Sequence, residues 1–183
     1  MNNLSIKVAE QTLKLLAINE WENISVNKVF KKLNINKKKT FIKINNKIDL
    51  LKNINTYFDF RISKNLKSIE LSTSRDMVFE VMMLRFDFLN EYRLSVKKLF
   101  NNFKKYPKTF ICLLPSFIES TFFMAESANI NTKGFTGNMK IKILLIIYFS
   151  SFLTWIKDES SSLDKTMMKL DLYLERTKNI MEI

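Results

Sequence analysis

The chain contains 183 residues, of which 46% are hydrophobic and 13% aromatic, and its formal net charge is +12. This apolar content suffices for a packed core and excludes a disordered chain. The sequence has no histidine, a single cysteine and no glycine-rich phosphate loop, so we predict neither an enzyme nor a metal or cofactor site.

The first part of the chain contains the pattern of several short helices. Apolar residues at helical spacing predict a helix over residues 6–18, followed by a polar connector. Ser25 is predicted to cap a second short helix, and residues 33–36 (LNIN) form a turn. Asn36 is predicted to cap a third short helix that runs through Lys43. This order of elements is that of a helix-turn-helix.

A fourth, longer helix follows the third. Asn46 and Asp49 resemble a capping pair at its start. A polar segment, residues 64–74, then separates this unit from the remainder, so we predict a head over residues 1–60 and a second domain over residues 61–183. About nine helices and no strands are expected, which makes the fold class all-α.

The second domain is predicted to be helical throughout. Ser74 is expected to cap its first helix, and a later apolar helix should run from Thr109 to about Ser127. Residues 129–138 contain both glycines and are predicted to form a loop. A further apolar helix, a short polar turn and a final amphipathic helix complete the domain.

The sequence also bears on localisation. Cys112 lies in an apolar run and is predicted to be a small core residue. One cysteine permits no internal disulfide, as expected for a cytoplasmic protein. The first 20 residues lack the apolar core of a signal peptide. The apolar run Ile143–Ile156 is shorter than the roughly 20 residues that cross a bilayer, so it is predicted to be a buried or interface helix.

The positive charge is concentrated in the N-terminal third. Residues 1–67 contain 14 lysines and arginines against 5 acids, whereas residues 68–183 contain 16 against 13. A general compositional bias toward lysine would spread the excess evenly along the chain, and this distribution is uneven. The predicted helix-turn-helix is therefore also the electropositive part of the molecule.

Motifs in both parts resemble the TetR-type transcriptional regulators. In that family the second helix has the form T-x-x-x-I-A, and a Gly-Val turn and an S-x-x-x-x-Y-x-x-F recognition helix follow it. The corresponding positions here are residues 25–30, Asn34-Ile35 and residues 36–44, and Lys47 takes the place of the family's lysine near the start of helix four. The segments RDMVFEVMMLRFDFLNEYR and TWIKDESSSLDKTMMKLDLYLERTKNI resemble the C-terminal part of one TetR-like branch.

The same tail is similar to that of a ubiquinone-biosynthesis accessory family, which uses a TetR-like fold to hold isoprenoid lipids. This is the alternative hypothesis, and under it the protein would contact a membrane. The family's turn glycine is Asn34 here, and its phosphate-contacting aromatic hydroxyl is absent from Phe41. The lipid-binding family's polar run upstream of the tail is poorly matched by residues 129–140, which favours double-stranded DNA as the partner.

The resemblance implies three groups of functional residues. Lysines would neutralise phosphates, while Thr40 and Asn36 would contact base edges or phosphates. The predicted DNA-contacting residues are Ser25, Asn36, Lys37, Lys38, Lys39, Thr40, Phe41, Lys43 and Lys47. A pocket for a small apolar ligand is predicted from Met82, Phe86, Phe117, Phe122 and Trp155, although core packing alone would explain the same residues. A homodimer contact is predicted from Leu145, Tyr148, Phe149, Phe152, Met167, Leu170 and Leu174, with an intramolecular core as the alternative.

Overall fold

The computed structural model describes residues 1–36, 43–66 and 72–181. Within these ranges the chain is helical and has no strand, which confirms the all-α fold class. The helices are α1 (Asn3–Ile18), a 3₁₀ helix (Trp21–Asn23), α2 (Val26–Lys32), α3 (Lys47–Asn65), α4 (Ser74–Glu91), α5 (Arg93–Lys105), α6 (Pro107–Ser127), α7 (Gly134–Trp155) and α8 (Asp164–Met181). Most of the predicted third short helix falls on residues 37–42, which lie outside these ranges.

The chain divides into two compact units. The first unit comprises residues 1–61 and 88–116, and the second comprises residues 62–87 and 117–183. Each unit therefore combines segments that are distant in the sequence. The predicted functional division between residues 60 and 61 remains a prediction.

In the first unit, α5 packs against α1 through polar as well as apolar contacts. The buried hydroxyl of Ser95 donates a hydrogen bond to the backbone oxygen of Leu13 at 2.7 Å. Further along α5, Lys98 donates to the backbone oxygen of Ala17 at 3.2 Å. The apolar residues of α1 that the periodicity predicts are buried here, including Leu13 and Leu16. The helix α5 thus fixes the last two turns of α1.

In the second unit, α7 and α8 pack against each other along apolar faces. Leu144 of α7 and Leu170 and Leu174 of α8 are completely buried. The ring of Tyr148 stacks on that of Phe86 with 5.6 Å between the ring centres. Because buried aromatic and aliphatic side chains each contribute on the order of 2 kcal/mol through burial, this interior supplies the main stabilisation of the unit.

Asp158 organises the connection between α7 and α8. Its buried carboxylate accepts hydrogen bonds from the backbone N–H and hydroxyl of Thr166, both at 2.8 Å. It also accepts from the hydroxyl of Ser160 at 2.6 Å. Burial acts against ionisation, yet these hydrogen bonds lower the pKa of Asp158 to about 2. The charged carboxylate therefore caps the first turn of α8.

Two predictions about the second part, the cap of α4 and the extent of the loop before α7, require correction. Helix α4 is capped by Thr73 and not by Ser74, because the hydroxyl of Thr73 accepts the backbone N–H of Asp76 at 3.2 Å. The predicted loop over residues 129–138 is shorter, since α7 already begins at Gly134. Gly137 is needed inside that helix, because a Cβ there would lie 2.1 Å from the carbonyl carbon of Thr132.

Helix α6 also differs from the prediction. It begins at Pro107, two residues earlier than predicted, because proline is well suited to the first turn of a helix. Cys112, predicted to be buried, is exposed on this helix. Consecutive residues of a helix face different sides, so Ile111 is exposed whereas Leu113 is buried. A run of apolar residues therefore did not show which side of α6 is buried.

Candidate nucleic-acid interface

The start of α2 is fixed by Ser25. Its hydroxyl oxygen accepts the backbone N–H of Lys28 at 3.2 Å, and its backbone oxygen accepts the N–H of Val29. This confirms the predicted N-cap. Val29 and Phe30 are buried on the inner face, whereas Ser25 and Lys28 are exposed. The polar residues at the start of α2 therefore face solvent.

The turn after α2 depends on a left-handed residue. Asn34 has a φ of 54°, and its backbone N–H bonds to the backbone oxygen of Lys31 at 3.2 Å. The N–H of Ile35 bonds to the backbone oxygen of Phe30 at 2.9 Å. These two bonds form a Schellman motif, and asparagine is the residue that after glycine best tolerates this conformation. The tight exit from α2 is thereby preserved without glycine.

The start of α3 is closed by a reciprocal pair of hydrogen bonds. The side-chain oxygen of Asn46 accepts the backbone N–H of Asp49 at 2.9 Å, and the carboxylate of Asp49 accepts the N–H of Asn46 at 3.1 Å. The same carboxylate accepts the N–H of Asn45 at 2.8 Å. This capping box confirms the predicted pair. With the nearby buried Ile44, it anchors the segment that enters α3.

Lys47 makes an additional structural contact. Its ammonium donates hydrogen bonds to the backbone oxygens of Trp21 at 2.7 Å and Glu22 at 3.1 Å, and it lies 4.9 Å from the centre of the Trp21 ring. Burial lowers the pKa of Lys47, and the negative charge of Glu22 opposes that shift. An ammonium has three donors, and the two hydrogen bonds within the described part of the chain use two of them.

The predicted DNA-contacting residues are only in part within the described ranges. Ser25, Asn36 and Lys43 are exposed, and Lys47 is half-buried. Those outside the described ranges are Lys37, Lys38, Lys39, Thr40 and Phe41. The described residues therefore give the two ends of the candidate interface, namely the capped α2 with its turn and the capped start of α3.

The residues predicted to line a ligand pocket belong to the second unit. Met82, Phe86 and Trp155 are fully buried, and Phe117 and Phe122 are half-buried. Phe117 packs edge-on against Phe149 with 5.4 Å between ring centres. These contacts are those of a packed interior, and the ligand-binding role stays a prediction.

An open groove of about 500 Å³ lies elsewhere in the second unit, along the end of α7 and the beginning of α8. None of the predicted pocket residues lines it. Its wall combines hydroxyl, ammonium and apolar groups, contributed by Ser150, Leu153, Thr154, Lys157, Lys165 and Tyr173.

The predicted dimer residues differ in exposure. Tyr148, Leu170 and Leu174 are buried by the chain itself, Leu145, Phe149 and Phe152 are half-buried, and Met167 is 40% exposed. None of the predicted dimer residues is among the most exposed large apolar residues of α7 and α8, which are Phe135, Met139, Ile146, Leu153, Met168 and Ile180. An almost uniformly apolar helix such as α7 has no polar face to reveal which side is buried.

Two described helices, α6 and α7, are long and apolar enough to cross a membrane, each with a mean hydropathy of 1.2. One third of each apolar window is buried within the chain. Core helices of soluble proteins have the same length and composition, so this property does not distinguish the two environments.

Comparison with known proteins identifies the fold. No family model and no curated protein sequence matches the chain. The crystal structure of a TetR transcriptional regulator from Nitrosomonas europaea is similar to this chain with a TM-score of 0.73. The two share 17% sequence identity, and the similarity covers 96% of this chain and 98% of the other. The described part of the chain is thus all-helical, and in particular its fold is TetR-like.

Proposed function

We propose that the protein is a dimeric, cytoplasmic transcriptional regulator that binds double-stranded DNA through its N-terminal helix-turn-helix. The main support is the local geometry of the head: a serine-capped α2, a Schellman turn at Asn34 and a capped α3 whose first residue is Lys47. The positive charge is concentrated in the same part of the chain.

The proposed contacts follow from residue chemistry. Ser25, Lys43 and the remaining N–H of Lys47 bind phosphates, together with Lys37, Lys38 and Lys39. These contacts position the protein and supply affinity by releasing counterions. Asn36 and Thr40 contact base edges or phosphates at the start of the recognition helix.

We further propose that the protein is a repressor and that a small apolar ligand releases it from DNA. The ligand binds among the aromatic and methionine residues of the second unit and favours a dimer whose two heads no longer match the spacing of the half-sites. The dimer forms through α7 and α8. Exposed apolar residues such as Ile146, Leu153 and Met167 are the available contacts for a second copy.

The test is binding of the purified protein to a duplex from upstream of its own gene and to a scrambled duplex, over a range of salt concentrations. The triple variant Lys37→Ala, Lys38→Ala, Lys43→Ala should lower the slope of log K against log [salt] by about 2.7 per protomer, since each phosphate contact contributes about 0.9. The control removes three exposed lysines of the second unit, Lys133, Lys157 and Lys165. This control should leave the slope unchanged.

Specific binding that depends on the head lysines would support the regulator. Weak binding that is equal for both duplexes and equally reduced by both triple variants would exclude it. In that case, extraction with organic solvent and mass spectrometry would test for a bound isoprenoid lipid, which is the alternative function.

A further inference from the structure

The second half of the chain contains one strongly cationic segment. Residues 92–116 carry six lysines and arginines and no acid, whereas the other residues of 68–183 carry ten cations and thirteen acids. The small average excess of the C-terminal part therefore conceals a local concentration of charge. The segment covers α5 and the first half of α6, and it belongs to the first compact unit, together with the helix-turn-helix.

Three lysines of this segment form an exposed cluster where α5 ends and α6 begins. Lys104, Lys105 and Lys108 are exposed, and Tyr106 between them is 44% exposed. The ammonium of Lys104 lies 4.7 Å from the centre of the Phe100 ring, which holds its stem along the surface of α5. We call Lys104, Lys105 and Lys108 the corner lysines.

The corner lysines are connected to the start of α3 through Glu22. The carboxylate of Glu22 lies 3.7 Å from the ammonium of Lys105 and accepts a hydrogen bond from the side-chain amide of Asn102 at 3.1 Å. The backbone oxygen of the same Glu22 accepts the ammonium of Lys47 at 3.1 Å. Lys105 and Lys47 therefore approach the same residue from two different helices. Through Glu22, the corner lysines lie near Lys47, which is one of the proposed phosphate-contacting residues.

We infer that the corner lysines form a second phosphate-contacting surface, which extends the DNA footprint beyond the bases covered by the helix-turn-helix. This inference rests on the proposed function. A duplex carries one negative charge per roughly 1.7 Å of its axis, so a cationic surface beside the head meets further phosphates of the same duplex. The contact is independent of sequence and adds affinity without altering base preference.

An anionic membrane is the other partner that such a surface could fit. Ile111 is 60% exposed one turn beyond Lys108 and would provide an apolar contact for lipid. DNA is favoured because the corner lysines adjoin the residue that also holds Lys47, whereas a lipid surface would require no such continuity. The two partners make different predictions for the same variant.

The experiment compares the wild type with the variant Lys104→Ala, Lys105→Ala, Lys108→Ala on the upstream duplex over a salt series. The slope of log K against log [salt] should fall by about 2 to 3 per protomer. The control variant that lacks Lys133, Lys157 and Lys165 of the second unit should retain the wild-type slope. A shorter duplex should also be tested, trimmed to the bases that the Lys104→Ala, Lys105→Ala, Lys108→Ala variant still protects. Wild type and this variant should bind the shorter duplex with equal affinity.

A second variant separates phosphate contact from a structural effect. Lys104→Ala, Lys108→Ala leaves the Lys105–Glu22 pair intact, and it should still lower the slope by about 2 while its melting temperature equals that of the wild type. Wild-type slopes in both corner variants, with specific binding by the wild type, would overturn this inference alone. Failure of the wild type to prefer its upstream duplex would instead overturn the proposed function. Loss of binding to phosphatidylserine vesicles with unchanged DNA binding would assign the surface to a membrane.

Discussion

Two connections between helices, one in each unit, are stabilised in opposite ways. The connection between α1 and α2 presents backbone oxygens, and cationic side chains from distant helices satisfy them. Lys47 bonds to Trp21 and Glu22, and Lys98 bonds to Ala17 at the end of α1. The connection between α7 and α8 presents backbone N–H groups and hydroxyls instead, and the nearby carboxylate of Asp158 satisfies them.

The comparison shows that charge has two uses in this chain. Some lysines of the N-terminal third stabilise the fold, so the number of lysines overestimates the charge that would be available to the proposed DNA partner. Lys28 donates to the backbone oxygen of Asn23 at 3.2 Å and is a further example. In the second unit, the buried carboxylate of Asp158 accepts hydrogen bonds from the first turn of α8 and from the connection that precedes it. Removing one charged side chain from each connection by mutation measures how much each set of hydrogen bonds contributes to the free energy of unfolding.

The largest effect is expected for Asp158→Ala. This change leaves the hydroxyls of Ser160 and Thr166 and the N–H of Thr166 without their acceptor, and burial keeps the Thr166 groups from water. The free energy of unfolding should fall by about 3 kcal/mol. Urea denaturation followed by circular dichroism measures it. Asp164→Ala, in the same connection but exposed, should cost less than about 1 kcal/mol. Equal losses in both variants would contradict the assigned role of Asp158.

Acid should weaken the same connection. The carboxyl of Asp158 has an ordinary pKa of 3.8 and a folded-state pKa of about 2. Below pH 3.8 the unfolded chain therefore binds the proton before the folded chain does, and about 2 kcal/mol of stability is lost as the pH falls from about 4 to 2. Denaturation series for the wild type and Asp158→Asn should converge over this interval. If stability falls with pH in parallel for the wild type and Asp158→Asn, another carboxylate is responsible for the loss of stability in acid.

In the first unit, Lys47→Ala should have a smaller effect on stability. The substitution removes two hydrogen bonds to backbone oxygens, and water can replace the donor because the site is only half-buried. A loss of about 1 kcal/mol is expected. Lys52→Ala, at an exposed position of the same helix, is the matched control and should be neutral. A neutral Lys47→Ala would mean that this lysine has no structural role.

The smallest effect is expected at the turn after α2. Asn34→Gly relieves the strain of the left-handed conformation but adds freedom to the unfolded chain, so a gain of at most about 0.5 kcal/mol is expected. Asn34→Ala should lower stability by about 1 kcal/mol, because alanine lacks the local hydrogen bonding that helps asparagine at positive φ. Thermal unfolding compares the two variants. A higher melting temperature for Asn34→Ala than for Asn34→Gly would contradict the Schellman geometry.

The features that were predictable from the sequence are mainly local. Ser25, Asn34 and the Asn46–Asp49 pair act within a few residues of their partners, so a short window of sequence contains the whole interaction. The contacts of Lys47 with Trp21 and of Asn102 with Glu22 join residues 26 and 80 positions apart, and no local pattern reveals them. The buried side of α7 was equally hidden, because its residues are apolar on nearly every face.

The exposure of Cys112 has a practical consequence. It is the single cysteine of the sequence, and it lies on the surface of α6. A maleimide or nitroxide reagent would therefore attach at one defined position per chain without any prior mutagenesis. In the proposed dimer, pulsed electron-spin measurements on the labelled protein would give one distance between the two chains. A change in that distance on addition of the proposed DNA duplex would report directly on how the two copies rearrange.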